Sequence, residues 1–104
     1  MDAQQKKGLL EICVLSAIER EESYGYKIIS DLAPYVAVSE STLYPILRRL
    51  ESSGAVRSRS VEHNGRLRRY FAITKIGKEK LKEFVDMMSE FEKIKEFILR
   101  GRKI

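Results

Sequence analysis

One cysteine, one histidine, two prolines and no tryptophan stand among the 104 residues, and most of these shortages remove a class of protein. Cys13 can form no disulfide within the chain and no thiolate metal cluster alone, so the fold rests on packing. It lies inside an apolar stretch, where a cysteine fills core space. His63 is the only histidine and falls in an expected turn, so no metal site is expected. Phosphate-binding glycine loops are missing, as is a nucleophile with a neighbouring base; the chain does not read as an enzyme, and no cofactor is implied. No apolar run approaches the roughly 18 residues of a membrane helix, and Met1-Asp2-Ala3-Gln4-Gln5-Lys6-Lys7 lacks the layout of a secretory signal. The expected location is the cytoplasm, with no membrane partner.

What remains is a chain 43% hydrophobic and 34% charged, enough for one domain with a modest core and a high ratio of surface to volume. Small domains of this kind often complete their core by pairing. The net charge of +5 is unevenly placed: residues 48–69 carry seven of the ten arginines against Glu51 and Glu62, a balance of +5, while residues 1–47 sum to −3 and residues 70–104 to +3. Positive charge is therefore focused on one stretch. Guanidinium forks pair with phosphate oxygens and release the counterions condensed there, so this focus points to a nucleic-acid backbone.

The spacing of apolar residues predicts a helix from about Gln5 to Arg20, with Leu9, Leu10, Ile12, Cys13, Leu15 and Ile18 on a broad buried face. A shorter helix follows from about Tyr24 to Leu32, with Ser23 as its cap and Pro34 beyond its end. Tyr24, Tyr26 and Tyr35 read as packing residues. Ser39 is a cap for a third helix running to Ser53, with Gly54 where a C′ glycine belongs. Leu43, Ile46, Leu47 and Leu50 gather on one side of it; Ser41, Tyr44, Pro45, Arg48 and Ser52 occupy the other. Pro45 removes a helical N–H and should loosen the helix start. Ala55 to Val61 and Arg68 to Thr74 alternate as two strands, and Asn64-Gly65 between them is a tight hairpin turn, because both residues tolerate positive φ. Thr74 then caps a long helix from about Lys75 to Leu99, although Gly77 weakens its first turn by roughly 1 kcal/mol relative to alanine.

In that last helix Leu81, Phe84, Val85, Met88, Phe91, Ile94 and Ile98 repeat every three to four residues. The seam is too long and aromatic for a short domain to bury internally, so it predicts a partner helix, most simply that of a second copy. Six lysines and six acids share the other faces and cancel.

Three helices, the third capped at both ends, and then a hairpin with a basic tip make the order of a winged helix-turn-helix. The fold class expected is mainly α with a small β-hairpin, a winged domain over residues 1–76 and a C-terminal dimerisation helix with a short tail over 77–104. The residues also resemble a known family: Tyr24-Gly25-Tyr26-Lys27-Ile28-Ile29, then Ser41-Thr42-Leu43-Tyr44-Pro45-Ile46-Leu47-Arg48-Arg49-Leu50-Glu51 with Gly54, then Gly65-Arg66-Leu67-Arg68-Arg69-Tyr70-Phe71-Ala72-Ile73-Thr74 with Gly77. Together these motifs, within about Leu9 to Leu81, are similar to the PadR family of transcriptional regulators, in its smaller subfamily with one dimerisation helix. Leu67 stands where the family often has proline, and Ala72 replaces a frequent basic residue. The resemblance implies a homodimeric repressor. Its expected partner is double-stranded DNA, bound sequence-specifically on a pseudo-palindromic operator.

Within that reading Ser41, Thr42, Tyr44, Arg48 and Arg49 supply groove and phosphate contacts, and Arg66 and Arg68 clamp the flanks through the hairpin, or wing. Duller readings stand beside these: Tyr44 covering the core, Arg48 paired with Glu51, and Arg57 with Arg59 guarding a strand edge. The resemblance also admits a small hydrophobic or aromatic effector between subunits. With no tryptophan to hold it, Phe84, Met88 and Phe91 are the available lining. The competing reading is a winged-helix protein–protein interaction module without specific DNA binding.

Overall fold

Asp2, earlier than the apolar pattern indicates, starts the first helix of the computed structural model, which describes residues 1–102. Its carboxylate accepts the Gln5 N–H at 2.8 Å while the Gln5 side chain accepts the Asp2 N–H, a capping box that fixes α1 at Ala3–Ala17. Leu10, Val14, Leu15 and Ile18 form its buried face. The polar run after it departs from the expected helix start: Ser23–Tyr24 is a short strand, β1. Ser23 therefore does not cap α2 (Gly25–Leu32), whose N-cap is Tyr24, with no side-chain hydrogen bond. Ile28 and Leu32 bury the inner side of α2, whereas Tyr26 and Tyr35 are exposed, so neither is the packing residue expected.

The third helix, α3 (Glu40–Ser52), follows its signals closely. Ser39 Oγ accepts the Thr42 N–H at 3.3 Å, and Val38 before the cap and Leu43 inside the helix are both buried, the positions of a hydrophobic staple. Leu43, Ile46, Leu47 and Leu50 sit at the centre of the core. Pro45 is accommodated within the continuous helix, and Gly54, at φ +80°, turns the chain out of it.

Strands β2 (Val56–His63) and β3 (Arg66–Ile73) pair antiparallel from Val56↔Ile73 to His63↔Arg66. Asn64 at φ 50° and Gly65 at φ 78° make the two-residue turn. On its other edge β3 pairs with β1, Ser23↔Phe71 and Tyr24↔Tyr70, giving a three-stranded sheet in the order β1-β3-β2. Pleating puts Val56, Ser58 and Phe71 toward the core and Arg57, Arg59, Arg68 and Tyr70 on the opposite face.

Thr74 caps the last helix, α4 (Lys75–Arg100), accepting the Gly77 N–H at 3.2 Å. Gly77 costs helix propensity, but a Cβ there would lie 2.3 Å from the Ala55 carbonyl oxygen, so close docking of α4 on the sheet demands glycine. Leu81 closes the core of the single chain, Phe84 is half-buried, and from Val85 onward the helix is exposed. Its exposed apolar side holds Val85, Met88, Phe91, Ile94 and Ile98, together with Met87, Phe97 and Leu99, which the sequence pattern left out.

Candidate nucleic-acid interface

Three of the seven clustered arginines are tied to carboxylates, and this selects the ones free to meet a ligand. Arg49 Nε donates to Glu11 Oε1 at 3.0 Å, and Glu11 Oε2 receives Lys80 Nζ at 3.4 Å, so one half-buried carboxylate on α1 joins α3 to α4. Arg49, expected to contact DNA, is turned to this internal task because its position shares a helix side with Ile46 and Thr42, facing α1. Arg69 donates to Glu51 Oε1 at 2.9 Å and to Ser58 Oγ at 3.0 Å, which in turn donates to Glu51 at 2.5 Å. Glu51 thus serves Arg69 and not Arg48. Arg59 makes a two-pronged pair with Glu22, and this guanidinium holds the Glu22 carboxyl below the usual carboxylate range. Among the described residues Arg48, Arg57, Arg66 and Arg68 form no ion pair.

One of the free wing arginines, Arg68, is ordered by an aromatic ring, and a ladder of rings and guanidiniums continues from it. Arg68 lies 4.0 Å from the centroid of Tyr24, Tyr24 meets Tyr70 edge-on at 5.5 Å, and Arg59 covers Tyr70 at 5.5 Å. Such contacts contribute about 0.5–1 kcal/mol each at exposed sites. The ladder exists because β1 brings Tyr24 beside Tyr70, a juxtaposition that no local spacing in the sequence announces.

A cleft of about 460 Å³ separates α3 from the wing. Glu40 and Tyr44 line one side, Arg66, Leu67, Arg68 and Arg69 the other, and Tyr24, Gly25 and Tyr26 the floor and rim. Tyr44 fits only because residue 25 is glycine, since a Cβ there would stand 2.5 Å from the Tyr44 hydroxyl. Ser41, Tyr44 and Arg48 are exposed along one stripe of α3. Thr42 is exposed as well, with its hydroxyl 3.1 Å from Ser39 Oγ, which also lies 3.0 Å from Ser41 Oγ. The structure thus brings Tyr44 into one cleft with Arg66 and Arg68, sets Arg48 one turn further along the same stripe, and keeps Arg49 apart. Tyr26, 75% exposed on the cleft, was missed in the sequence because its motif reads equally well as packing.

A helical trio whose third member is exposed on one stripe, beside a hairpin of free arginines, defines a winged helix-turn-helix domain, here extended by α4. Residues 14–83 match the model of the transcriptional regulator PadR-like family. The chain belongs to that family, whose members are regulators of transcription and not enzymes. It resembles a PadR-like transcription factor from Bacteroides fragilis, with 32% identity, 92% of this chain and 95% of that one covered and a TM-score of 0.85. A PadR-like transcriptional regulator of Bacillus cereus is 32% identical over 96% of this chain and 100% of its own, with a TM-score of 0.80. Bacillus subtilis PadR in complex with operator DNA shares the fold at 22% identity, over 74% of this chain and 46% of its own, with a TM-score of 0.69. No helix among the described residues is long and apolar enough to cross a membrane, and no cluster of potential metal ligands occurs among them.

Proposed function

We propose that this chain is a homodimeric repressor that binds a pseudo-palindromic DNA operator sequence-specifically. One observation carries the reading: Tyr44 of α3 and the unpaired Arg66 and Arg68 of the wing share one open cleft. Ser41, Thr42, Tyr44 and Arg48 face the major groove, while Arg66 and Arg68 meet the flanking backbone or minor groove. That the Bacillus subtilis relative is seen on operator DNA supports this use of the fold.

The exposed apolar side of α4, with Phe91 63% and Ile94 57% exposed, is more apolar surface than a lone helix keeps in water, and a second copy covers it most economically. Two subunits joined this way hold their α3 helices about one duplex turn, roughly 34 Å, apart. Occupying a promoter blocks transcription. Beside the seam a groove of about 760 Å³ runs between α1 and α4, lined by Leu9, Ile12, Phe84, Met88 and Phe91 among others, and a small hydrophobic effector fits its chemistry. Such a ligand relieves repression only by binding one dimer arrangement better than another.

The test is fluorescence anisotropy with duplexes selected by the protein from a random-sequence pool, titrated at several salt concentrations. Arg66→Ala/Arg68→Ala should weaken binding to every sequence and lower the salt slope by about 0.9 per lost phosphate contact. If the wild-type protein selects nothing and ignores duplexes in dilute buffer, the chain is an interaction module and this proposal is wrong.

A further inference from the structure

We propose that Lys6 and Lys7 of α1 form a second phosphate clamp, on the flank of α3 opposite the wing. The inference rests on the DNA-binding reading above and adds a contact to it.

The geometry follows from the helical period of α3. At about 100° per residue, Glu40 and Tyr44 project together toward the wing cleft, while Thr42 and Arg49 project about 140–200° away. Those two residues line a separate groove of about 380 Å³, whose other wall includes Lys6 and Lys7. Ser41, Arg48 and Ser52 lie between the two flanks, and the leucines occupy the remaining side. The exposed stripe of α3 is therefore bordered by cations on both sides, wing arginines on one and α1 lysines on the other. A major groove about 12 Å wide is likewise bordered by two phosphate backbones, and a helix of about 10–12 Å diameter fills it. Each flank of α3 then faces one strand.

Both lysines are kept available. Asp2 lies four residues before Lys6, but its Oδ1 is spent on the Gln5 N–H at 2.8 Å. Glu11 lies four residues after Lys7, yet its two oxygens hold Arg49 and Lys80. Glu11 is thus occupied by other cations, and Asp2, which caps α1, forms no ion pair with Lys6 among the described residues. Lys6 and Lys7 are exposed and make no ion pair among the described residues. The acidic balance of residues 1–47 concealed them in the sequence.

The experiment compares Lys6→Gln/Lys7→Gln, which keeps side-chain length, with Lys93→Gln/Lys95→Gln, which removes equal charge from exposed positions of α4. Both are titrated across a fourfold salt range on a duplex selected by the wild-type protein. Loss of two phosphate contacts lowers the slope of log affinity against log salt by about 1.8, so affinity falls roughly twelvefold less over that range than for the wild type. The α4 control should keep the wild-type slope. Ethylation interference should place the phosphates released by the lysine variant and by Arg66→Ala/Arg68→Ala on opposite strands of one half-site. A lysine variant whose slope matches the α4 control overturns the clamp while leaving the wing reading intact. Absence of any wild-type binding to duplex removes both.

Discussion

Replacing Gly25 by alanine should leave the fold standing and still weaken DNA binding, because the added carbon meets a movable side chain. The new Cβ would lie 2.5 Å from Tyr44 Oη and 3.0 Å from its Cζ. Both atoms sit at the far end of a rotatable tyrosine that is 39% exposed, so the ring swings away and the backbone stays. Gly25 is not among the glycines with positive φ, and it begins α2, where alanine improves helix propensity by at most about 1 kcal/mol. The melting temperature should therefore hold or rise by no more than about 8 °C. Binding behaves differently. A hydrogen bond from Tyr44 to a phosphate is worth about 1.5–3 kcal/mol, roughly ten- to 150-fold in affinity. Tyr44→Ala forfeits that amount and Gly25→Ala most of it, by displacement. The two losses share one cause, so the double variant should bind no worse than Tyr44→Ala. Anisotropy on a selected duplex reads the affinities and circular dichroism the melting. A Gly25→Ala protein that binds like wild type, or a double variant whose loss is the product of the single ones, would refute the coupling.

Gly77→Ala makes the same chemical change against backbone, 2.3 Å from the Ala55 oxygen, and should destabilise by about 1–3 kcal/mol; a raised melting temperature would show that α4 does not dock as described. Phe91→Glu/Ile94→Glu should give folded monomers by analytical ultracentrifugation, and a variant that still dimerises would place the seam elsewhere. The Glu22–Arg59 pair should matter in a defined pH window. Because Arg59 lowers the folded-state value of Glu22, the stabilisation is complete above the ordinary carboxylate range and disappears as pH falls through the lowered value. The gap in melting temperature between wild type and Glu22→Gln should shrink on acidification, and a constant gap would mean that the pair does not form.

Signals confined to a few neighbouring residues were legible. Ser39 and Gly54 marked both ends of α3, Asn64-Gly65 set the hairpin, and Thr74 opened α4, since caps and tight turns depend on local backbone chemistry. β1 was not legible. Two residues carry no period, and Ser23 and Tyr24 are extended only because β3 offers them a free edge at Phe71 and Tyr70. The pairing of Arg49 was hidden for a related reason, as its partner Glu11 lies 38 residues away in sequence. Glu22 is 37 residues from Arg59, and Glu51 18 from Arg69. Charge counted along the chain therefore gave the focus of positive charge but not which guanidiniums were spent. Leu81 shows the same limit on α4: helical spacing set it with the seam, and only the docking of α4 on α1 and the sheet takes it into the core.

The spent arginines bear on binding even though they do not face the cleft as free cations. Arg59 ties β2 to Glu22 just before β1, and Arg69 ties β3 to Glu51 near the end of α3. The wing is thereby fastened to the helical body at two points on either side of its tip. Stacking of Arg68 on Tyr24 at 4.0 Å restrains one of the free guanidiniums at the cleft before any ligand arrives. Ordering a long side chain on binding costs about 0.5–1.5 kcal/mol, so a wing fixed in advance loses less of its contact energy to entropy. In the proposed complex, a rigid spacing between wing and α3 also disfavours duplexes whose groove width does not match it. In the proposed complex, selectivity for groove shape then comes partly from Glu22 and Glu51, two carboxylates that a phosphate backbone would repel if they stood unpaired.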